Sequence, residues 1–149
     1  MTTNCLQYAL NYISRYPKTE KELTVRLFQK WFMSNDVSGT IKKLKELWYI
    51  NDENFVQSYI NSEISNKWKP TIIIKQKLIQ KGVDVNLVDN LLKKNIADIQ
   101  VWTYKKIKKE IQNYKKKWID WFDIIQKLIR KWYKLDEIKS VIQRNNQNT

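Results

Sequence analysis

The chain has 149 residues, with 28 Lys and Arg against 15 Asp and Glu, a formal charge of +13, no His and one Cys. Without His, neither a Ser-His-Asp nor a Cys-His nucleophile system can be built. One Cys cannot supply a Cys/His zinc site or a disulfide within the chain. Two Gly and two Pro are too few for the turns of a typical β-protein, so the composition predicts an all-α fold.

The apolar pattern along the chain excludes other classes of protein. No apolar run approaches the roughly 20 residues that cross a bilayer, and the opening residues 1–5 lack the basic head and apolar core of a signal peptide. Seven Trp, eight Tyr and four Phe argue against a disordered tail. We expect a cytoplasmic, monomeric protein with no membrane association, no cofactor and no metal.

Apolar residues recur at spacings of three and four, which predicts nine helices. The first carries Leu6, Leu10 and Ile13, and a capping box from Thr19 to Glu22 opens the second. The later helices are predicted to begin at Asn35 or Asp36, Asn51, Pro70, Asp84, Asp98, Asp120, and Leu135 or Asp136. Gly82 is predicted to end the fifth helix in a left-handed C-cap, and the polar tail 144–149 is expected to fray.

The inward faces of these helices follow from the same spacing. The second to fourth helices are expected to bury Leu23, Leu27, Phe28, Val37, Ile41, Leu44, Trp48, Phe55, Val56, Tyr59 and Ile60. The seventh is expected to be the longest, running to about residue 118, with a seam formed by Tyr104, Ile107, Ile111, Tyr114 and Trp118.

A period near fifty residues relates three parts of the chain. The segments that begin at Leu27, Leu78 and Leu128 are similar, and these leucines are 51 and 50 positions apart. Such a period is typical of tandem helical repeats. It predicts three three-helix repeats at 1–50, 51–97 and 98–149, which form an elongated, curved array.

The order of the motifs resembles the RecX family. The best local match is residues 50–60, where an acidic pair is followed by Phe55, an aromatic residue and an aliphatic residue. Residues 67–70 and 77–83 are similar to the family's basic segment and to its Leu-x-x-Lys-Gly-aliphatic helix end. Trp31 and Trp132 stand where the family has a Gly, which leaves the geometry of those two helix ends in question.

The resemblance implies a non-enzymatic regulator of DNA recombination and repair, connected with the SOS response. Family members bind the RecA filament on single-stranded DNA in its helical groove. There they limit filament growth, ATP hydrolysis and strand exchange. The resemblance also implies three tandem three-helix repeats.

Two basic clusters are candidate contacts for this partner or for single- or double-stranded DNA. The denser one, with a charge of +6 after Glu110 is counted, consists of Lys105, Lys106, Lys108, Lys109, Lys115, Lys116 and Lys117. The second consists of Lys67, Trp68, Lys69 and Lys75, and Arg130 is a further candidate. The other reading of this charge is a solvated helix face in a Lys-rich chain.

Three other interpretations stay open. The basic face suits a general nucleic-acid-binding protein, and a concave helical array suits a scaffold for an acidic helix or peptide. Exposed aromatic residues among basic ones suit base stacking. For stacking, Trp68 is the first candidate and Trp31 and Trp132 follow, although we expect the last two to pack between repeats.

Overall fold

The computed structural model describes residues 4–67 and 69–147, apart from the side chains of residues 66 and 67. These residues form nine α-helices and no strand, which confirms the all-α prediction. The helices are α1 (Cys5–Arg15), α2 (Glu20–Gln29), α3 (Ser34–Glu46), α4 (Asp52–Ser62), α5 (Thr71–Gln80), α6 (Val85–Lys94), α7 (Ile96–Lys116), α8 (Trp121–Arg130) and α9 (Leu135–Gln147). A π-helical turn, Glu63–Lys67, continues α4.

The starts of most helices follow the side chains that the sequence singles out. Thr19 and Glu22 form the capping box of α2. Asp84 accepts from the backbone N–H groups of residues 86 and 87, and Asp120 accepts from that of Asp123. Each side chain satisfies N–H groups that the first helical turn leaves without a partner.

Other predicted boundaries were wrong by a few residues. Helix α3 begins before Asn35, with Met33 at the N-cap, and α7 begins two residues before Asp98. Pro70 precedes the first residue of α5, and its carbonyl accepts from the backbone N–H of Ile74. Helix α9 continues to Gln147, so the described part of the tail that was expected to fray is helical.

Five helix ends share one backbone geometry. The residue after the last turn has a φ between 60 and 88°, and the residues in this position are Trp31, Trp48, Gly82, Trp118 and Trp132. In each case its N–H donates to the carbonyl three residues back, and the next N–H donates to the carbonyl five residues back. This pair of bonds is the Schellman motif, which satisfies the last carbonyls of a helix. A non-glycine residue in this conformation costs about 1–2 kcal/mol, yet four of the five are tryptophans.

This geometry explains which core predictions were wrong. Trp48 and Trp118 were assigned to buried faces by their spacing, but both lie beyond the end of their helix and are exposed. Phe28 is also exposed, at 47%. The aliphatic predictions for α2 to α4 were confirmed, since the residues concerned are buried: Leu23, Leu27, Val37, Ile41, Leu44, Val56 and Ile60. The repeat leucines Leu27, Leu78 and Leu128 are completely buried.

The chain packs as two compact units. The first comprises Met1–Tyr59 and Lys75–Leu91, and the second comprises Ile60–Ile74 and Leu92–Thr149. One buried cluster in the first unit is formed by Cys5, Ala9, Leu23, Leu27, Val37, Ile41, Leu44 and Ile50. One in the second is formed by Ile107, Ile111, Ile124, Leu128, Tyr133, Ile138 and Val141. The helices α4, α5 and α6 each contribute residues to both units.

Candidate binding surfaces

The seven lysines of α7 and its C-terminal end are spread around the helix outside its buried face. That face is formed by Ile99, Thr103, Ile107 and Ile111. Lys105, Lys109 and Lys116 follow one another at spacings of four and seven and share the opposite, exposed face. Lys115 and Lys117 are also exposed, whereas Lys106 and Lys108 are half-buried on the flanks. The exposed members form a basic strip that suits acidic or phosphate-bearing partners.

Two of these lysines lie against tryptophan rings. The ammonium of Lys105 is 5.2 Å from the ring centroid of Trp102, and that of Lys115 is 4.1 Å from the ring centroid of Trp121. A cation over an aromatic face is attracted by the ring quadrupole. The second contact joins the end of α7 to the start of α8.

The second predicted cluster is largely engaged within the protein. Lys69 pairs with the buried carboxylate of Glu63 at 3.5 Å, and Lys75 pairs with Asp89 at 2.7 Å. Trp68 and the side chain of Lys67 lie outside the described residues. The two lysine side chains of this cluster that the structure describes therefore each have an acidic partner on their own chain.

Arg130 lies at the end of α8 and lines a shallow groove of about 430 Å³. The other residues lining this groove are Phe122, Asp123, Gln126 and Lys127. Arg130 is exposed. Arg130 belongs to the second unit, as do the lysines of α7.

The tryptophans at helix ends differ from their predicted roles. Trp31 is 92% exposed, so the expectation that it packs between repeats was wrong. Trp132 is 58% exposed and lines an apolar groove of about 310 Å³ with residues that include Pro70, Ile72 and Ile129. Both residues have the left-handed backbone that Gly82 has at the equivalent helix end.

Sequence reasoning missed an exposed group of aromatic residues between α7 and α8. Trp118 is 95% exposed, Phe122 is 71% exposed, and Trp121 is also exposed. The spacing of Trp118 from Tyr114 placed it on the buried seam, but α7 ends at Lys116. The order Trp118-Ile119-Asp120 matches Gly82-Val83-Asp84, which is the signal that could have identified a helix end here.

A polar network in the first unit joins the start of α2 to the end of α5. The Thr19 hydroxyl donates to the carbonyl of Lys81 at 2.6 Å, and the Lys81 ammonium pairs with Glu22 at 3.4 Å. Asp52 accepts from the backbone N–H of Glu20 at 2.9 Å. Burial raises the pKa of Asp52, although this hydrogen bond opposes the shift. The network joins the start of α2 to the end of α5 and to the start of α4.

A second network lies in the second unit beneath the basic strip. The Lys131 ammonium donates to Glu110 at 3.0 Å and lies 5.6 Å from the ring centroid of Tyr114. The hydrogen bond with Tyr114, supported by the one with Glu110, raises the pKa of Lys131. Burial raises the pKa of Tyr133. Lys131 therefore pairs with an acidic side chain of α7, although half of its own side chain is exposed.

Within the described ranges, no group of three or more Cys, Asp and Glu side chains could hold a metal ion. In the same residues, no helix is long and apolar enough to cross a membrane. The fold and its surfaces define an all-α protein of helical repeats with exposed basic and aromatic surfaces.

Comparison with known proteins identifies the family. A family model described as the second three-helix domain of RecX matches residues 51–92. Regulatory protein RecX of Clostridium perfringens strain SM101 is 32% identical over 97% of this chain and 69% of its own length. Regulatory protein RecX of Streptococcus agalactiae strain A909 is 37% identical over 70% of this chain and 41% of its own length. The chain belongs to the RecX family of regulatory proteins.

The solved structures agree with this assignment. The crystal structure of RecX from Lactobacillus salivarius superimposes with a TM-score of 0.82 at 26% identity, covering 96% of this chain and 95% of that one. A crystal structure of another regulatory protein RecX superimposes with a TM-score of 0.76, and at 22% identity it supports the fold. The sequence-based recognition of the family and of its helical fold is confirmed.

Proposed function

We propose that this protein is a non-enzymatic regulator of DNA recombination and repair. In this proposal it binds the RecA filament on single-stranded DNA, in the helical groove, and limits filament growth, ATP hydrolysis and strand exchange. The observation that carries the proposal is the 32% identity to a regulatory protein RecX over 97% of the chain. The protein acts in the cytoplasm as a monomer, within the SOS response, and is organised as repeats at 1–50, 51–97 and 98–149.

The basic strip of α7 is the proposed contact with the filament. Its exposed lysines are Lys105, Lys109, Lys115, Lys116 and Lys117. A nucleoprotein filament is negatively charged because of its DNA, so the positive charge of the basic strip favours association with it. Lys106, Lys108 and Arg130 extend the contact at its edges, and Lys67, Trp68, Lys69 and Lys75 are assigned a lesser part.

The test is ATP hydrolysis by RecA on single-stranded DNA, with the protein at a small fraction of the RecA concentration and at two salt concentrations. We expect inhibition of ATP hydrolysis at this substoichiometric ratio, because one bound molecule would stop the addition of many RecA subunits to the filament. Unchanged hydrolysis and strand exchange, even with the protein in excess, would contradict the proposal.

A matched pair of variants tests the basic strip itself. Replacing Lys105, Lys109 and Lys116 with Gln removes three charges from the exposed face of α7. The control replaces Lys93, Lys94 and Lys139 with Gln, which removes the same charge from exposed positions on α6 and α9. We expect the first variant to lose inhibition and the control to keep it. An equal loss of inhibition in the two variants would mean that only net charge matters.

The same strip favours a second candidate function, general nucleic-acid binding. If six of the seven lysines between residues 105 and 117 each neutralised a phosphate, affinity for bare DNA would fall by about three powers of ten between 50 and 200 mM salt. Tight, salt-steep binding to bare DNA without inhibition of RecA would favour this function. Weak binding to bare DNA at physiological salt would contradict it.

A further inference from the structure

The turn between α7 and α8 exposes three aromatic rings within five positions: Trp118, Trp121 and Phe122. We call this group the aromatic corner. Folding does not account for Trp118, because its ring is 95% exposed and its backbone has a φ of 60°. At the equivalent helix end Gly82 takes this conformation without strain. Trp31 and Trp48 are also left-handed and exposed, so Trp118 is distinguished by its neighbours, which are two further exposed rings and three exposed lysines.

The charges around the aromatic corner have the sign that suits nucleic acid. Lys115, Lys116 and Lys117 come directly before Trp118 and are exposed. The ammonium of Lys115 already lies 4.1 Å from the ring centroid of Trp121. Phe122 also lines the groove on α8 that contains Lys127 and Arg130. Cationic side chains thus lie on both sides of the three rings in the sequence, from the end of α7 to the end of α8.

We propose that the aromatic corner binds single-stranded DNA by stacking on its bases, while the adjacent lysines and Arg130 hold the backbone. Every base has a π-face, so such platforms bind single strands with little sequence preference. A duplex offers no free faces, since its bases are already stacked on one another. The choice of DNA as the nucleic acid rests on the proposed function.

The acidic residues at the corner argue against a lipid surface. Asp120 caps α8 through the N–H of Asp123, and Asp123 itself lines the groove beside Phe122. Insertion of the rings into a bilayer would bring both carboxylates into the interface, where burying them is unfavourable. Stacking on a base leaves both carboxylates in water.

Other helix ends provide matched controls. Trp31 ends α2 with a φ of 66° and 92% exposure, but a single lysine, Lys30, comes directly before it. Glycine fits this backbone position, so Trp118→Gly and Trp31→Gly should both keep their helix ends intact. Thermal melts of the two variants check that both remain folded.

The experiment titrates the 149-residue chain with labelled oligothymidylate, with a duplex of the same length, and with vesicles of phosphatidylserine and phosphatidylcholine. We expect Trp118→Gly to weaken oligothymidylate binding about tenfold or more, as loss of a stacked base does. The duplex affinity should change little, and Trp31→Gly should leave both affinities near wild type. Phe122→Gln should weaken single-strand binding by a smaller factor.

The salt dependence of single-strand binding separates the contribution of base stacking from the contribution of charge. Trp118→Gly should reduce single-strand affinity by a similar factor at low and high salt, whereas Lys116→Gln should lower the salt slope by about 1 unit. If Trp118→Gly binds oligothymidylate like wild type, the proposal is wrong. An equal loss in Trp31→Gly, or vesicle binding that depends on Trp118 without oligothymidylate binding, also overturns it.

Failure of this inference and failure of the proposed function give different results. If wild type does not inhibit RecA, the proposed function fails whatever the oligothymidylate titration gives. If wild type inhibits RecA but Trp118→Gly retains full oligothymidylate affinity, only the aromatic corner fails.

Discussion

Two helix junctions in this protein are built on the same plan with different chemistry. In the first unit, the start of α2 lies against the end of α5. In the second unit, the start of α5 lies near the end of α8. The repeat spacing makes Thr19 equivalent to Pro70 and Gly82 equivalent to Trp132. The backbone at the two helix ends is nearly the same, with φ values of 88 and 71°.

The first junction is polar and closed. Thr19 is completely buried and donates to the carbonyl of Lys81. A Cβ atom on Gly82 would lie 2.5 Å from the Cβ of Lys21, which no real contact allows. Glycine is required here by its neighbour as well as by its φ.

The second junction is apolar and open. Pro70 has no hydroxyl that could donate a hydrogen bond to a carbonyl at the helix end. A groove of about 310 Å³ lies at this junction, and Ile72 and Trp132 are among the residues that line it. The repeat spacing makes Ile72 the equivalent of Lys21, and Ile72 lines this groove together with Trp132. The same Schellman geometry therefore accepts Gly or Trp according to what packs against it.

The largest expected effect on stability comes from the buried leucine that precedes the helix end at each of the two junctions. Leu78→Ala and Leu128→Ala each remove a completely buried side chain at equivalent positions. Each should lower the free energy of unfolding by about 2–5 kcal/mol, measured by urea denaturation. A cost below about 0.5 kcal/mol at Leu78, the usual range for a surface site, would contradict the repeat register.

The next effect separates the junctions at their equivalent helix ends. Gly82→Ala should cost about 2–4 kcal/mol, because a left-handed alanine costs about 1–2 kcal/mol and the contact with Lys21 adds overpacking. Trp132→Ala keeps a left-handed non-glycine residue and should change stability far less. Equal urea midpoints for the two variants would remove the distinction between the junctions.

A smaller effect is expected from Thr19→Val at the first junction. The valine keeps the shape but leaves the Lys81 carbonyl and the Glu22 N–H without the hydroxyl. The loss should be about 1–3 kcal/mol. Thr19→Ser is the control, since it keeps both hydrogen bonds and should recover most of the lost stability in the same thermal or urea measurement.

The smallest effect is expected from Trp132→Gly. Glycine removes the left-handed strain but gains entropy in the unfolded chain, so the net change should stay below about 1 kcal/mol. Calorimetry on Trp132→Gly and Trp31→Gly measures both changes. A loss much larger than this in Trp132→Gly would mean that the indole stabilises the open groove.

The candidate surfaces were only partly predictable. The lysines of α7 are identified by sequence alone, because seven charges in thirteen positions cannot all lie on the buried face. The engagement of Lys69 and Lys75 was not predictable, since their partners Glu63 and Asp89 are recognised only once the chain has folded. Trp118 was misplaced because the four-residue spacing was extended past the end of its helix.

The sequence by itself determined the helical class, the starts of α2, α6 and α8, and the buried leucines of the repeat. These depend on local capping and on periodicity, which neighbouring residues encode directly. Only the tertiary structure decided why Gly82 must be glycine while Trp132 need not be. That choice depends on Lys21, a side chain from another helix, and no local pattern records which distant residue packs against a helix end.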